Sequence, residues 1–264
     1  MNIAFLMRTT AVAAALCASA FSAQAGRSCE ARPATVDGVQ RSMQLAERTS
    51  QKLNQSGAQV VVLARIGQNL SEYGLRYSHL GFAYRANQDA PWRVVHKLNQ
   101  CGTATSDIYR QGLGEFFLDD LHEFEAAMVI PTLDVQAKLL PALQDNERVA
   151  QLHTPSYNMV AYPWSLKYQQ SNQWAIETLA MTQDPAASSR ERAQSWLKLH
   201  DYQPTTLKIS ALKRLGGRIT AANIAFDDHP NEKRFSDRIE TVTVDSVFAW
   251  LNRSGLGGSI QTVR

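Results

Sequence analysis

The chain has 264 residues, 44% of them hydrophobic and 19% charged, with 14 glycines and 9 prolines. That composition excludes a collagen-like, coiled-coil or largely disordered chain. Its 27 basic and 24 acidic residues leave a formal charge of +3, too small and too dispersed an excess to suggest nucleic acid as a partner.

The first element reads as a secretory signal over residues 1–25. Arg8 is the first charge, an apolar run follows from Ala11 to Phe21, and Ala23-Gln24-Ala25 is a small-x-small cleavage site. The run is far shorter than the roughly 20 apolar residues that span a bilayer, and no later stretch reaches that length. The expectation is export to the periplasm, with no membrane span after cleavage. Cleavage removes Cys17 and leaves Cys29 and Cys101, and an even pair in an exported protein points to a disulfide. On the loop-entropy model such a bridge stabilises the fold by about 4 kcal/mol. The competing reading makes Cys101 a free nucleophile.

From Val36 to Asn54 the apolar positions recur at helical spacing, and Ser56-Gly57 ends the run. Gln59 to Ile66 is nearly continuous and β-branched, as in a strand buried on both faces. Strands over Ser78 to Arg85 and Trp92 to Leu98, joined by a short turn ending in Pro91, read as an antiparallel hairpin. Ser106 then opens a short helix over Asp107 to Gln111. Ala126 to Ile130 is a strand stopped by Pro131, and a helix runs from Asp134 toward Leu140, with Pro141 breaking or kinking it. Tyr157 to Trp164 is an aromatic loop or short strand, Ser171 to Met181 a helix, and Ser188 or Ser189 caps another around Trp196. Strands over Arg218 to Phe226 and Arg238 to Val244 precede a last helix capped by Asp245. The sum is one α+β domain over residues 26–264, a central antiparallel sheet with flanking helices.

Two of the six histidines, His79 and His96, fall inside the hairpin strands, where both side chains can share a face. A general base needs an orienting partner for its second ring nitrogen, and a neighbouring histidine can be one. Ser171 stands where the aromatic loop turns into a helix, a place where the dipole and free N–H groups favour developing negative charge; the same position suits a plain helix cap. The five tryptophans read most simply as core and helix-packing residues, but Trp164 and Trp174 flank Ser171 and, with Asn172, are candidates to line a substrate cleft. His122-Glu123-Phe124-Glu125 and Asp227-Asp228-His229 lack metal-ligand spacing, and the latter reads as a polar turn. Gly216-Gly217 lacks the spacing of a phosphate-cradling loop, so neither a metal nor another cofactor is expected.

The stretches RYSHLGFAYR, VVHKLNQCGT, YQQSNQWAIETLA and AFDDHP resemble a family of exported bacterial proteins, domain-of-unknown-function family 2145. More distantly, a strand with S-H-x-G, a second strand with a polar residue and a nucleophile opening a later helix resembles the circularly permuted papain-like (NlpC-type) hydrolases. That resemblance implies a papain-like arrangement, with His79 as base, His96 as orienting residue and Ser171 at the nucleophile position. The family nucleophile is Cys, whereas this chain has Ser. A hydroxyl needs concerted proton removal where a thiol does not. Two functions therefore stand: a periplasmic hydrolase or acyltransferase acting on an amide or ester, cell-wall peptide among its possible substrates, or a non-catalytic envelope module that binds a peptide or another envelope ligand in the same cleft.

Overall fold

The computed structural model describes residues 34–119 and 121–264. The signal segment, its cleavage site and Cys29 lie outside the described residues.

Helix α1 (Val36–Gln55) begins where the Thr35 side chain accepts the Gly38 N–H, and it buries Leu45, Ala46 and Leu53. The β-branched run becomes β1 (Val60–Ile66), buried along its whole length. It pairs antiparallel with β2 (His79–Tyr84), and β2 pairs in turn with β3 (Arg93–Asn99), as the hairpin reading expected. On the other side β1 pairs with β5 (Glu123–Val129), and β5 with β8 (Gln261–Val263). With β4 (Ser106–Gly112) outside β3, the sheet order is β4-β3-β2-β1-β5-β8.

Alternate residues of the sheet feed two cores. Val60, Val62, Leu80, Phe82 and Val95 face one side with α3 (Leu133–Gln144), α5 (Ser171–Gln183), α6 (Arg190–Leu199) and α9 (Val244–Arg253). Val61, Leu63, Ala83 and Val94 face the other with α1 and the short α2 (Leu113–Leu118). This is a helix–sheet–helix sandwich on an antiparallel sheet, so the α+β reading is correct. The one-turn α4 (Asn146–Ala150) follows α3. A smaller ladder of β6 (Thr205–Lys208) and β7 (Arg238–Thr241) carries its own cluster of Leu207, Ile209, Phe226 and Ile239, beside α7 (Ala211–Thr220) and α8 (Asn231–Arg234).

Three sequence expectations need correction. Residues 107–111 form strand rather than helix: Ser106 spends its N–H and hydroxyl on Pro155 O, at 2.9 and 3.0 Å, instead of accepting from a first helical turn. The ladder to β3 then runs from Asn99↔Ser106 to Arg93↔Gly112. Residues 218–220 close α7, and the rest of the expected strand is a loop in which the Asn158 amide bonds both Ala225 N and Ala225 O. The glycine pair 216–217 obscured that helix, because glycine weakens helical propensity without forbidding the conformation. The last helix is capped by Thr243, in a reciprocal pair of bonds with Ser246, and not by Asp245.

Candidate functional site

His79 opens β2 opposite Arg65 of β1. Two residues on, Gly81 faces His96: a Cβ at Gly81 would lie 2.8 Å from His96 Cβ and 2.9 Å from Val95 O. The glycine of S-H-x-G is thus the gap into which the His96 side chain fits. His79 Nε2 lies 2.8 Å from His96 Nδ1, and His96 Nε2 lies 2.8 Å from Gln111 Oε1. The Phe116 ring packs against both imidazoles, with centroids 5.2 Å from His96 and 6.1 Å from His79. The Arg65 guanidinium lies over the Phe116 ring, 4.7 Å from its centroid, and bonds Phe116 O and the Asp119 carboxylate.

Burial disfavours the charged form of both imidazoles, and Arg65⁺ adds to it. His79 is held well below the usual histidine range by burial, then by Arg65 and His96. His96, fully buried, is pushed down to about 3, first by burial and then by Arg65, against the Gln111 hydrogen bond. Both are neutral near pH 7. His79 itself is half-buried, and its Nδ1 has no hydrogen-bond partner among the described residues and is not sealed from solvent.

Ser171 is the first residue of α5 but not its cap. The Gln170 side chain accepts the Asn172 N–H at 3.3 Å and is itself held by Thr241 Oγ1 and Val242 O. The buried Ser171 hydroxyl donates instead to the Tyr157 hydroxyl at 3.5 Å. Asn172 pins the helix start to β2 on either side of His79: its Oδ1 accepts Leu80 N–H at 3.1 Å and its Nδ2 donates to Ser78 O at 3.4 Å. The imidazoles and α5 therefore reach this spot from opposite faces of the sheet. They meet at the open end of β2, in a cleft of about 1360 Å³ lined by Arg65, His79 and Asp119 from one side and Tyr157, Ser171 and Asn172 from the other. Among the described residues there is no hydrogen bond between Ser171 and His79.

The tryptophans are elsewhere. Trp174 is fully buried, donating to Val149 O and packing edge-on to Phe82. Trp164 packs on Tyr202 and under Lys198. Neither lines the cleft. Asn172 does line it. Cys101 sits in the β3–β4 turn at the cleft's edge, and its expected partner Cys29 is outside the described residues. The Asp228 and His229 side chains are buried: Asp228 accepts the Tyr162 N–H at 2.8 Å, and His229 bridges Asp228 and Glu240 O. That motif locks a turn through a partner 66 residues away rather than through a local Asx bond. No group of three or more His, Cys, Asp or Glu side chains suited to a metal ion occurs among the described residues.

Sequence reasoning passed over Gln111, Tyr157, Arg65 and a buried network beneath the site. Glu177, fully buried on α5, accepts from Arg190 Nε at 2.8 Å, Gln194 at 2.7 Å and Gln169 at 2.6 Å. Arg190 also gathers the carbonyls of Ser165, Leu166 and Tyr168. Gln169 and Thr154 O hold the Lys97 ammonium, which burial pushes down to about 7. The network fixes the aromatic loop against α5 and so places Ser171. Its signal was present: Glu177 is the lone charge in an otherwise uncharged helix.

The family model described as "Uncharacterized protein conserved in bacteria (DUF2145)" matches residues 52–251. The chain belongs to that family. The match spans His79, His96, Gln111, Ser171 and the Glu177 network. No curated protein and no solved structure matches the chain.

Proposed function

We propose that this DUF2145 protein is a periplasmic hydrolase or acyltransferase on an amide or ester, with a papain-like division of labour. The observation that carries the reading is that Ser171 and a neutral His79 with an unpaired Nδ1 line one cleft. A base must be unprotonated at the working pH, and its other nitrogen must be held; His96 does the holding. In the reaction Ser171 Oγ attacks the carbonyl carbon while its proton passes to His79 Nδ1. The C–N or C–O bond then breaks, and the leaving group takes that proton. Water, or an acceptor nucleophile, clears the acyl-serine by the same steps in reverse order. For this Ser171 exchanges Tyr157 for His79, and catalytic contacts often tighten only with substrate bound.

The second reading is a binding module on the same scaffold, and the Ser171–Tyr157 bond at 3.5 Å, made in place of a His79 contact, favours it. A serine-reactive phosphonate separates the two. Labelling of the wild type, lost in Ser171→Ala and in His79→Ala, supports catalysis. A wild type that is never labelled, while His79→Ala only lowers stability, leaves the binding module. Export and the Cys29–Cys101 bridge belong to this proposal for either function.

A further inference from the structure

We infer that Gln111, held by Glu115, is a positioning residue that sets where the protons sit on the histidine pair, so that His79 presents a bare Nδ1 to the cleft.

Glu115, exposed in the first turn of α2, is a carboxylate and can only accept. Gln111 Nε2 lies 3.1 Å from Glu115 Oε1, so the amide turns its NH₂ toward α2 and its carbonyl toward His96. At 2.8 Å from that carbonyl, His96 Nε2 must carry its proton. A neutral imidazole holds one N–H, so His96 Nδ1 is left as an acceptor. His79 Nε2, 2.8 Å from it, must then donate. One proton is again all the ring holds, and His79 Nδ1 is bare. Turning the amide over would place its carbonyl against a carboxylate and its NH₂ against His96 Nε2. Both imidazoles would then flip tautomer, and His79 would offer the cleft an N–H. A second proton on His96 would remove the acceptor for His79, so the chain requires both rings neutral. The apolar cover of Phe116 and the Arg65 guanidinium over it meet that requirement.

Gln111 and Glu115 stand on the sheet's outer strand and on α2, and neither lines the cleft. They act only through His96. The inference deepens the hydrolase reading, which needs the bare Nδ1, but the proton positions can be measured without any reaction.

The experiment is a two-bond ¹H–¹⁵N correlation spectrum of ¹⁵N-labelled protein at neutral pH, which distinguishes a protonated ring nitrogen from a bare one. In the wild type His79 Nδ1 and His96 Nδ1 read as bare, and both Nε2 atoms as protonated. Gln111→Met removes the acceptor, and Glu115→Lys, an exposed change that puts a donor beside the amide, reverses its preference. In both, the two histidines shift toward the Nδ1–H form. A protonated His79 Nδ1 in the wild type overturns the inference. So does an unchanged pattern in Gln111→Met, and an unchanged pattern in Glu115→Lys removes Glu115 from it. If Gln111→Met does not fold, an unchanged pattern in Glu115→Lys overturns the inference. Absence of phosphonate labelling with the expected tautomers ends the hydrolase reading and leaves this one standing.

Discussion

Replacing His96 by glutamine tests the buried imidazole as a source of acid sensitivity. In the folded protein His96 is fully buried and its pKa lies at about 3, against an ordinary 6.5. Below about pH 6.5 the unfolded chain takes up a proton that the folded chain refuses, so stability is full above that pH and falls as pH drops toward 3. At about pH 4.5 the unfolded state is roughly two pH units below its own midpoint; at 1.36 kcal/mol per unit, His96 alone removes about 3 kcal/mol. That is a large part of the 5–15 kcal/mol typical of a domain. Glutamine keeps an amide for hydrogen bonding to His79 and Gln111 and does not titrate. Urea unfolding of wild type and His96→Gln, at about pH 7.5 and again at about pH 4.5, gives the two differences directly. Subtracting them cancels the carboxylates common to both proteins, and the variant should lose about 3 kcal/mol less than wild type. Equal losses would show that His96 is not held neutral by its surroundings, and the account of the pair would fall with it.

Gly81→Ala puts a methyl 2.8 Å from His96 Cβ and 2.9 Å from a backbone oxygen; it should cost about 1–3 kcal/mol in urea unfolding and displace His96, and a neutral result refutes the gap argument. Arg190→Met leaves Glu177 buried without its cation and should cost about 3–5 kcal/mol, with Glu177→Gln in the same background recovering part of the loss; no recovery would mean that packing, not charge, is at stake. Intact mass of protein from the periplasm should correspond to a chain starting at Gly26, with Cys29 and Cys101 alkylated only after reduction; alkylation of both without a reductant removes the bridge.

The hairpin histidines show how much of the site was legible. Alternation along SHLGFAYR and WRVVHKL placed His79 and His96 on neighbouring strands, and strand geometry then puts them within reach of each other. The helix starting at Ser171 was equally plain, because no proline or glycine interrupts the stretch from the aromatic loop to Asp184-Pro185. Which residue caps that helix was not plain. Ser171 has the right side chain, yet Gln170 does the capping because Thr241 and Val242, some 70 residues away, hold its amide in place.

From the sequence by itself came the strand run Val60 to Ile66, the β2–β3 hairpin, the α+β class and the candidate histidines, all of them consequences of local periodicity and turn chemistry. Only the tertiary structure decided that residues 106–112 are an outer strand, and that the imidazoles and α5 approach the cleft from opposite faces of the sheet. The reason is physical. A strand next to another is stabilised by a ladder that no single segment contains, and Ser106 would suit a cap or a strand until Pro155 O is brought beside it. The face a strand residue presents is fixed by parity, but which helices cover each face depends on how chain segments far apart in sequence pack together.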